Sequence, residues 1–175
     1  RADASSNFGP NNKWGYFPSM ALAWRVSEES FMSNFDALSS LRIRLGYGEV
    51  GNQDIGGYTY GAALTNFPTR WGTGLLPNQF ANPDVKWETT TSYNIGLDFT
   101  LFNSRIEFIG DVYLKETDDL LMRQTLPLFM GTDALSAPMV NVGKMENRGV
   151  EITLNTVNTK GALDWNSGLT FTLNR

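Results

Sequence analysis

Apolar and polar residues alternate along much of this chain, most completely between Trp87 and Leu114. Tyr93, Ile95, Leu97, Phe99 and Leu101 occupy odd positions, and Asn94, Gly96, Asp98 and Thr100 the even ones. After Asn103-Ser104 the parity switches. Ile106, Phe108, Gly110, Val112 and Leu114 then oppose Arg105, Glu107, Ile109, Asp111, Tyr113 and Lys115. A period of two belongs to a strand with one apolar and one polar face. With a two-residue turn at Asn103-Ser104, Leu101 faces Ile106, Phe99 faces Phe108, Ile95 faces Val112 and Tyr93 faces Leu114. Turn and pattern specify the same register, that of a long antiparallel hairpin.

Four further segments alternate. Lys13 to Val26 sets Trp14, Tyr16, Met20, Leu22 and Trp24 against Gly15, Ser19, Ala21, Ala23 and Arg25, with Pro18 predicting a bulge or irregular start. Leu41, Ile43, Leu45 and Tyr47 alternate with Arg42, Arg44 and Gly46. Val150, Ile152 and Leu154 form a fifth strand, and Leu163, Trp165, Leu169, Phe171 and Leu173 a sixth. Ser27-Glu28-Glu29-Ser30 before Phe31, Met32, Phe35 and Leu38 predicts an N-capped helical turn in the first connection. Arg1 to Asn12 reads as a loop, as do the segments near 48–86 and 127–143.

Antiparallel order puts the three shorter links at one end of the sheet and both long ones at the other. Bacterial outer-membrane barrels have this asymmetry, with short periplasmic turns and long extracellular loops. Strands crossing their apolar band need roughly 9–11 residues. Tyr93–Leu101 and Ile106–Leu114 supply nine each. Aromatics fall at both ends of the apolar faces: Trp14, Tyr16, Tyr47 and Trp87 toward the long loops, Trp24, Phe102 and Trp165 toward the short turns. Such girdles mark the two membrane interfaces. The expected fold is therefore all-β, an antiparallel up-and-down transmembrane barrel segment. A soluble β-sandwich that binds glycans would alternate in the same way, burying its apolar faces between two sheets. Because barrels of this kind have about eight strands or more, residues 1–175 are expected to be one partial barrel, a piece of a larger one, with no plug and no signal peptide in the chain.

Composition narrows the chemistry. No Cys and no His are present among the 175 residues, which removes thiolate, imidazole-metal and Ser-His chemistry. The net charge is -4 and no basic stripe stands out, so nucleic acid is not an expected partner. The adjacent carboxylates Asp118-Asp119 and Glu28-Glu29 point to opposite faces of an extended chain, whereas a glycosidase pair must converge on a substrate. The glycines between Gly48 and Gly61 lack the Lys-Ser/Thr of a phosphate loop, and Asn52 and Asp54 lack calcium-loop spacing. No catalytic residue, metal or cofactor is expected. In the first long loop Phe67, Arg70, Trp71 and Phe80 are the ligand-contact candidates, since an exposed ring offers a flat apolar face to a sugar or a protein. The competing reading is that they order the loop internally.

Particular words in the chain extend the picture. Asn7-Phe8-Gly9-Pro10-Asn11-Asn12-Lys13-Trp14-Gly15-Tyr16-Phe17-Pro18-Ser19 comes first, then Ala23-Trp24-Arg25-Val26-Ser27-Glu28-Glu29 with Phe31-Met32. Leu41 to Gly48, Val50-Gly51-Asn52-Gln53-Asp54-Ile55-Gly56, Asn82-Pro83-Asp84-Val85-Lys86-Trp87-Glu88-Thr89-Thr90 and Asn141 to Glu151 follow in order. Together they resemble the later barrel of SusC/RagA-type TonB-dependent outer-membrane receptors. The resemblance implies a barrel of about 22 strands closed by a separate plug. It also implies energy from the TonB complex, a SusD-like surface lipoprotein as lid, and import of oligosaccharides or, in some members, peptides. A passive porin-like channel would differ by lacking the plug. Location in the outer membrane of a Gram-negative bacterium, against membrane lipid, follows from the same resemblance.

Overall fold

A computed structural model describes residues 1–33, 35–127 and 137–175. Its strands are β1 (Ala2–Ala4), β2 (Trp14–Tyr16), β3 (Ser19–Arg25), β4 (Leu38–Asn52), β5 (Ala63–Thr69) and β6 (Gly72–Gln79). They continue with β7 (Glu88–Leu101), β8 (Ile106–Asp118), β9 (Leu121–Arg123), β10 (Met139–Asn141), β11 (Lys144–Thr159) and β12 (Trp165–Asn174). Although no composition break announces it, the chain forms two compact units. One comprises Arg1–Pro18, Glu49–Thr90 and Thr117–Met145, the other Ser19–Gly48, Thr91–Glu116 and Glu146–Arg175.

The second unit is built on an up-and-down sheet in the order β12-β11-β8-β7-β4-β3, the six strands expected from alternation. Met20 pairs with Tyr47, Leu22 with Leu45 and Trp24 with Ile43 across β3 and β4. Val150 pairs with Leu173, Ile152 with Phe171 and Leu154 with Leu169 across β11 and β12. In the central hairpin the rings of Phe99 and Phe108 stack at 4.7 Å, which fixes the expected register. Its turn is wider than the two residues expected, with Phe102, Asn103 and Ser104 all at φ between 54° and 62°. Neighbouring segments hold the turn: the Phe102 N–H donates to Ala37 O, just before β4, and the Val157 N–H of β11 to Arg105 O, both at 2.8 Å.

The apolar face of this sheet stands open. On the apolar face Met20 is 72% exposed, Ile95 58%, Val112 53% and Leu169 63%. On the polar face the Asp98 side chain is only 14% exposed. Among the described residues no second sheet covers these apolar side chains, whereas the sandwich alternative requires one. A sheet showing its oily side outward and folding its charges together is suited to lipid on one side and water on the other.

The first unit has an ordinary core: Phe8, Phe17, Ile55, Val85, Trp87 and Met139 are buried together, with Tyr60 and Leu121 packed against them. Here the structure corrects several expectations. Trp87 is not an interface aromatic: it is 8% exposed, tilted against Phe8 at 5.1 Å and edge-on to Phe17 at 5.3 Å. Its parity is that of the apolar face, but it lies one residue before β7 and is covered by the N-terminal segment. The loop near 48–86 is not structureless, because β4 continues to Asn52 and β5 pairs with β6 inside it. The segment near 127–143 contains β10, paired with β9, while 128–136 lie outside the described residues. Trp14–Tyr16 pairs with Ala2–Ala4 from the supposed N-terminal loop, and the break before β3 falls at Phe17-Pro18 as Pro18 predicts. The Ser27–Ser30 turn is two short 3₁₀ turns, Val26–Glu28 and Ser30–Met32, with no side-chain cap.

Candidate functional site

Two surfaces carry concentrated chemistry, one in each unit. The first is the polar face of the six-stranded sheet. Alternation places Arg42 and Arg44 on β4, Asp98 on β7 and Asp111 on β8 on that face. Arg44 Nε donates to Asp98 Oδ2 at 3.0 Å, and Arg44 Nη2 donates to Asp98 Oδ1 at 2.8 Å and Asp111 Oδ2 at 2.9 Å. Arg42 joins the same carboxylate, with Nη2 2.8 Å from Asp98 Oδ2. The guanidinium lies flat only because Gly96 is beneath it: a Cβ there would sit 2.5 Å from Arg44 Cζ. Gly149 plays the same part under Tyr113, whose hydroxyl donates to Asn174 Oδ1 at 2.7 Å. Asn155 donates to Glu107 Oε2 at 3.0 Å. Charge-assisted bonds thus cross β4, β7 and β8 as a ladder, fixing the strands against one another and giving the face its charged character.

A groove of about 450 Å³ opens on this unit, lined by Arg25, Glu28, Ser39, Arg42, Thr100 and Glu107 among others. Its charges are already engaged, Arg25 with Glu28 at 2.9 Å and Arg42 with Asp98.

The second surface is the β5–β6 hairpin of the first unit. Phe67 lies across from Gly74 and Thr65 across from Leu76 on one face; Asn66 opposes Leu75 and Leu64 opposes Pro77 on the other. Pro68 and Pro77 fall on pairs of one parity, that whose N–H groups point outward, so each outer edge lacks a donor and strand addition is blunted. Side chains rather than backbone are therefore what the ribbon presents. Trp71 in the turn is 94% exposed and Phe67 52%. Arg70 shares that turn and is exposed, whereas Phe80 lies past the end of β6 and is half-buried. Three of the four expected contact residues therefore share the hairpin's outer end and one is set back from it. The root is anchored, with Gln79 Nε2 donating to Tyr58 O at 3.0 Å and Gly61 O at 2.8 Å.

The unit carrying this hairpin is tied by asparagines that the sequence reading assigned to loops. Asn7 Nδ2 donates to Gln53 O at 3.1 Å, and Asn12 Nδ2 to Asp84 O at 3.1 Å. Asn141 accepts from the Lys86 N–H at 2.9 Å and donates to Lys86 O at 2.8 Å and Asp119 O at 2.9 Å. Trp87 Nε1 donates to Lys13 O at 3.2 Å. Apart from the bond to Asp119, each of these links two of the words that carry the family resemblance.

The remaining expected aromatics are placed as follows. Trp14 and Tyr16 are 61% and 71% exposed on β2 of the first unit. In the second unit Trp24, Phe102 and Trp165 are 46%, 53% and 58% exposed, and Tyr47 tilts against Tyr93 at 5.3 Å. The paired carboxylates go separate ways: Asp118 to Lys144, Asp119 to Lys86, Glu28 to Arg25, and Glu29 to the Trp24 indole. Asn52 is spent on structure, accepting from the Asp54 N–H at 3.0 Å and donating to Glu88 at 3.2 Å.

Comparison with known proteins agrees with this architecture. Residues 1–175 match the family described as TonB dependent receptor-like, beta-barrel. TonB-dependent receptor P26 of Formosa agariphila is 38% identical over 180 residues, covering 100% of this chain and 18% of that receptor. TonB-dependent receptor SusC of Bacteroides thetaiotaomicron is 39% identical over 165 residues, covering 89% of this chain and 16% of SusC. Among solved structures, the RagAB peptide importer in its closed-closed state superposes with a TM-score of 0.84 at 31% identity, over 99% of this chain and 19% of that one. The chain therefore spans about a fifth of the length of the relatives it matches. An antiparallel sheet with its apolar side open, a charged opposite face and end-to-end kinship with these receptors lead to one conclusion: the chain belongs to the TonB-dependent receptor β-barrel family of SusC/RagA-like outer-membrane transporters.

Proposed function

We propose that this chain supplies six wall strands and a structured loop unit to a TonB-dependent importer in the outer membrane of a Gram-negative bacterium. Its part in this reading is transport rather than catalysis. The observation that carries the reading is the open apolar face of the sheet, where Met20, Ile95, Val112 and Leu169 are each more than half exposed. Lipid would contact this face and the water of the lumen the opposite one. A plug elsewhere in the receptor, the TonB complex and a SusD-like lipoprotein lid complete the machine in this reading, as the family resemblance implies.

Oligosaccharide is the proposed substrate class, contacted on the outer side by Phe67, Arg70 and Trp71, with Phe80 behind them. A rigidly rooted hairpin with an exposed indole offers the flat apolar face on which a sugar ring stacks, beside a guanidinium for its hydroxyls. Peptide import is the second reading, favoured by the likeness to the RagAB peptide importer. Binding of glycan and peptide libraries to the full-length receptor separates the two. Trp71→Ala should weaken glycan binding by about tenfold, near 1.4 kcal/mol. Peptide binding alone, or glycan binding indifferent to Trp71, contradicts the first reading.

A further inference from the structure

The tip of the β5–β6 hairpin departs from the usual chemistry of a tight turn. Thr69 pairs with Gly72, so the turn itself is Arg70-Trp71. Two-residue hairpin turns favour Asn-Gly and similar pairs, which take positive φ readily. Neither Arg70 nor Trp71 has a positive φ. The turn is held from its flanks instead. Thr69 Oγ1 donates to Gly72 O at 2.6 Å and accepts from the Trp71 N–H at 3.3 Å, and Gly72 takes a φ of 126°. Two residues that serve a turn poorly, braced by neighbours that serve it well, are expected where their side chains have another task.

Charge singles out one of the two. Between Asp54 and Asp84, Arg70 is the only charged residue. The other arginines of this unit are engaged, Arg1 with Asp3 at 2.6 Å and Arg123 with Ala137 O at 3.3 Å, and Lys86 and Lys144 pair with Asp119 and Asp118. Arg70 has no side-chain partner among the described residues. A sugar hydroxyl would use part of the guanidinium's donor fork and none of its charge. A carboxylate takes two donors in parallel and answers the charge as well. With an exposed indole as the next residue, the tip suits a ring that carries an acid: apolar face on Trp71, carboxylate on Arg70. The chain's net charge of -4 sharpens the choice, because an anion is drawn to this point rather than to the surface at large.

We infer that the substrate is an acidic oligosaccharide, with Arg70 reading the carboxylate of a uronic acid residue while Trp71 stacks on the sugar ring. The inference rests on the reading of this hairpin as a glycan contact, and its test separates the two. Tetrasaccharides of galacturonate, glucuronate, mannuronate and guluronate are each paired with the carboxyl-reduced form, which keeps the backbone and replaces the acid by a hydroxymethyl group. Titration calorimetry of the full-length receptor reads their binding at about 50 and about 500 mM salt. At low salt at least one acid should bind about tenfold tighter than its neutral counterpart, and at high salt most of that preference should be lost. Arg70→Gln should cut the preference below about twofold, Arg70→Lys should keep part of it, and Trp71→Ala should weaken acid and neutral forms alike. The inference is overturned if no acid outbinds its counterpart, or if the preference survives Arg70→Gln. Neutral forms that bind as well as the acids and weaken in Trp71→Ala leave the glycan reading standing. If no glycan binds, while peptides with a free C-terminal carboxylate bind and lose affinity in Arg70→Gln, the same guanidinium serves a peptide and both readings fall.

Discussion

Trp87→Ala should destabilise the loop-bearing unit by about 3–5 kcal/mol, the range for removing a large buried aromatic. The indole touches Phe8 and Phe17, both buried, and its N–H is satisfied by Lys13 O. Alanine would leave a void beside Phe8 and Phe17. Collapse into it is opposed by the hydrogen bonds from Asn12 and Asn141, which hold the walls apart. Trp87→Phe keeps most of the packing and loses one hydrogen bond, so about 1 kcal/mol is expected. Hydrogen exchange of the full-length receptor is the measurement: amides around Phe8 and Val85 should lose protection in Trp87→Ala while those of β11 keep theirs. Were Trp87 an interfacial ring, as its parity alone suggests, the cost would stay near 1 kcal/mol and protection would be unchanged.

Leu97→Lys should cost about 2–4 kcal/mol in a phospholipid bilayer, the penalty of a lysine at the midplane of a barrel's lipid face. Leu97 is the middle of the apolar run from Tyr93 to Leu101 and lies on the open face of β7. Thr100→Lys, on the other face beside Asp98 and Glu107, should fall within about 0.5 kcal/mol, as surface substitutions do. Denaturant midpoints of the receptor folded in vesicles report both. Equal, small effects would mean that Leu97 meets water.

Much of the fold is legible in the sequence because a strand's period of two is rigid. Once Phe99 and Phe108 share a face, one tight turn sets every rung of the hairpin, and the stacked rings are where that register puts them. The alternation also foretells which face is open. It does not foretell the loop-bearing unit. Parity says which way Trp87 points but not that a segment from Phe8 to Phe17 covers it, a contact across some seventy residues of chain. Asparagines 12, 82 and 141 read as turn formers by type, whereas each donates to a backbone carbonyl far away in sequence. The β5–β6 hairpin is obscured by Pro68 and Pro77, which in a central strand would break the ladder and here sit on outward-facing edge positions. Of the ligand-contact candidates, Phe67, Arg70 and Trp71 were recognisable as aromatic and basic residues in a long connection. Their union at the end of one ribbon required the pairing of two strands that do not alternate.

The central claim is that the apolar face of the sheet meets lipid and the charged face meets water. A nitroxide scan along β7 from Tyr93 to Phe99, in the full-length receptor in vesicles, tests it most directly. The account predicts an accessibility pattern of period two, with high oxygen contact at 93, 95, 97 and 99 and contact with a water-soluble nickel reagent at 94 and 98. Nickel contact at the odd positions, or shielding of those positions from both reagents, would contradict it.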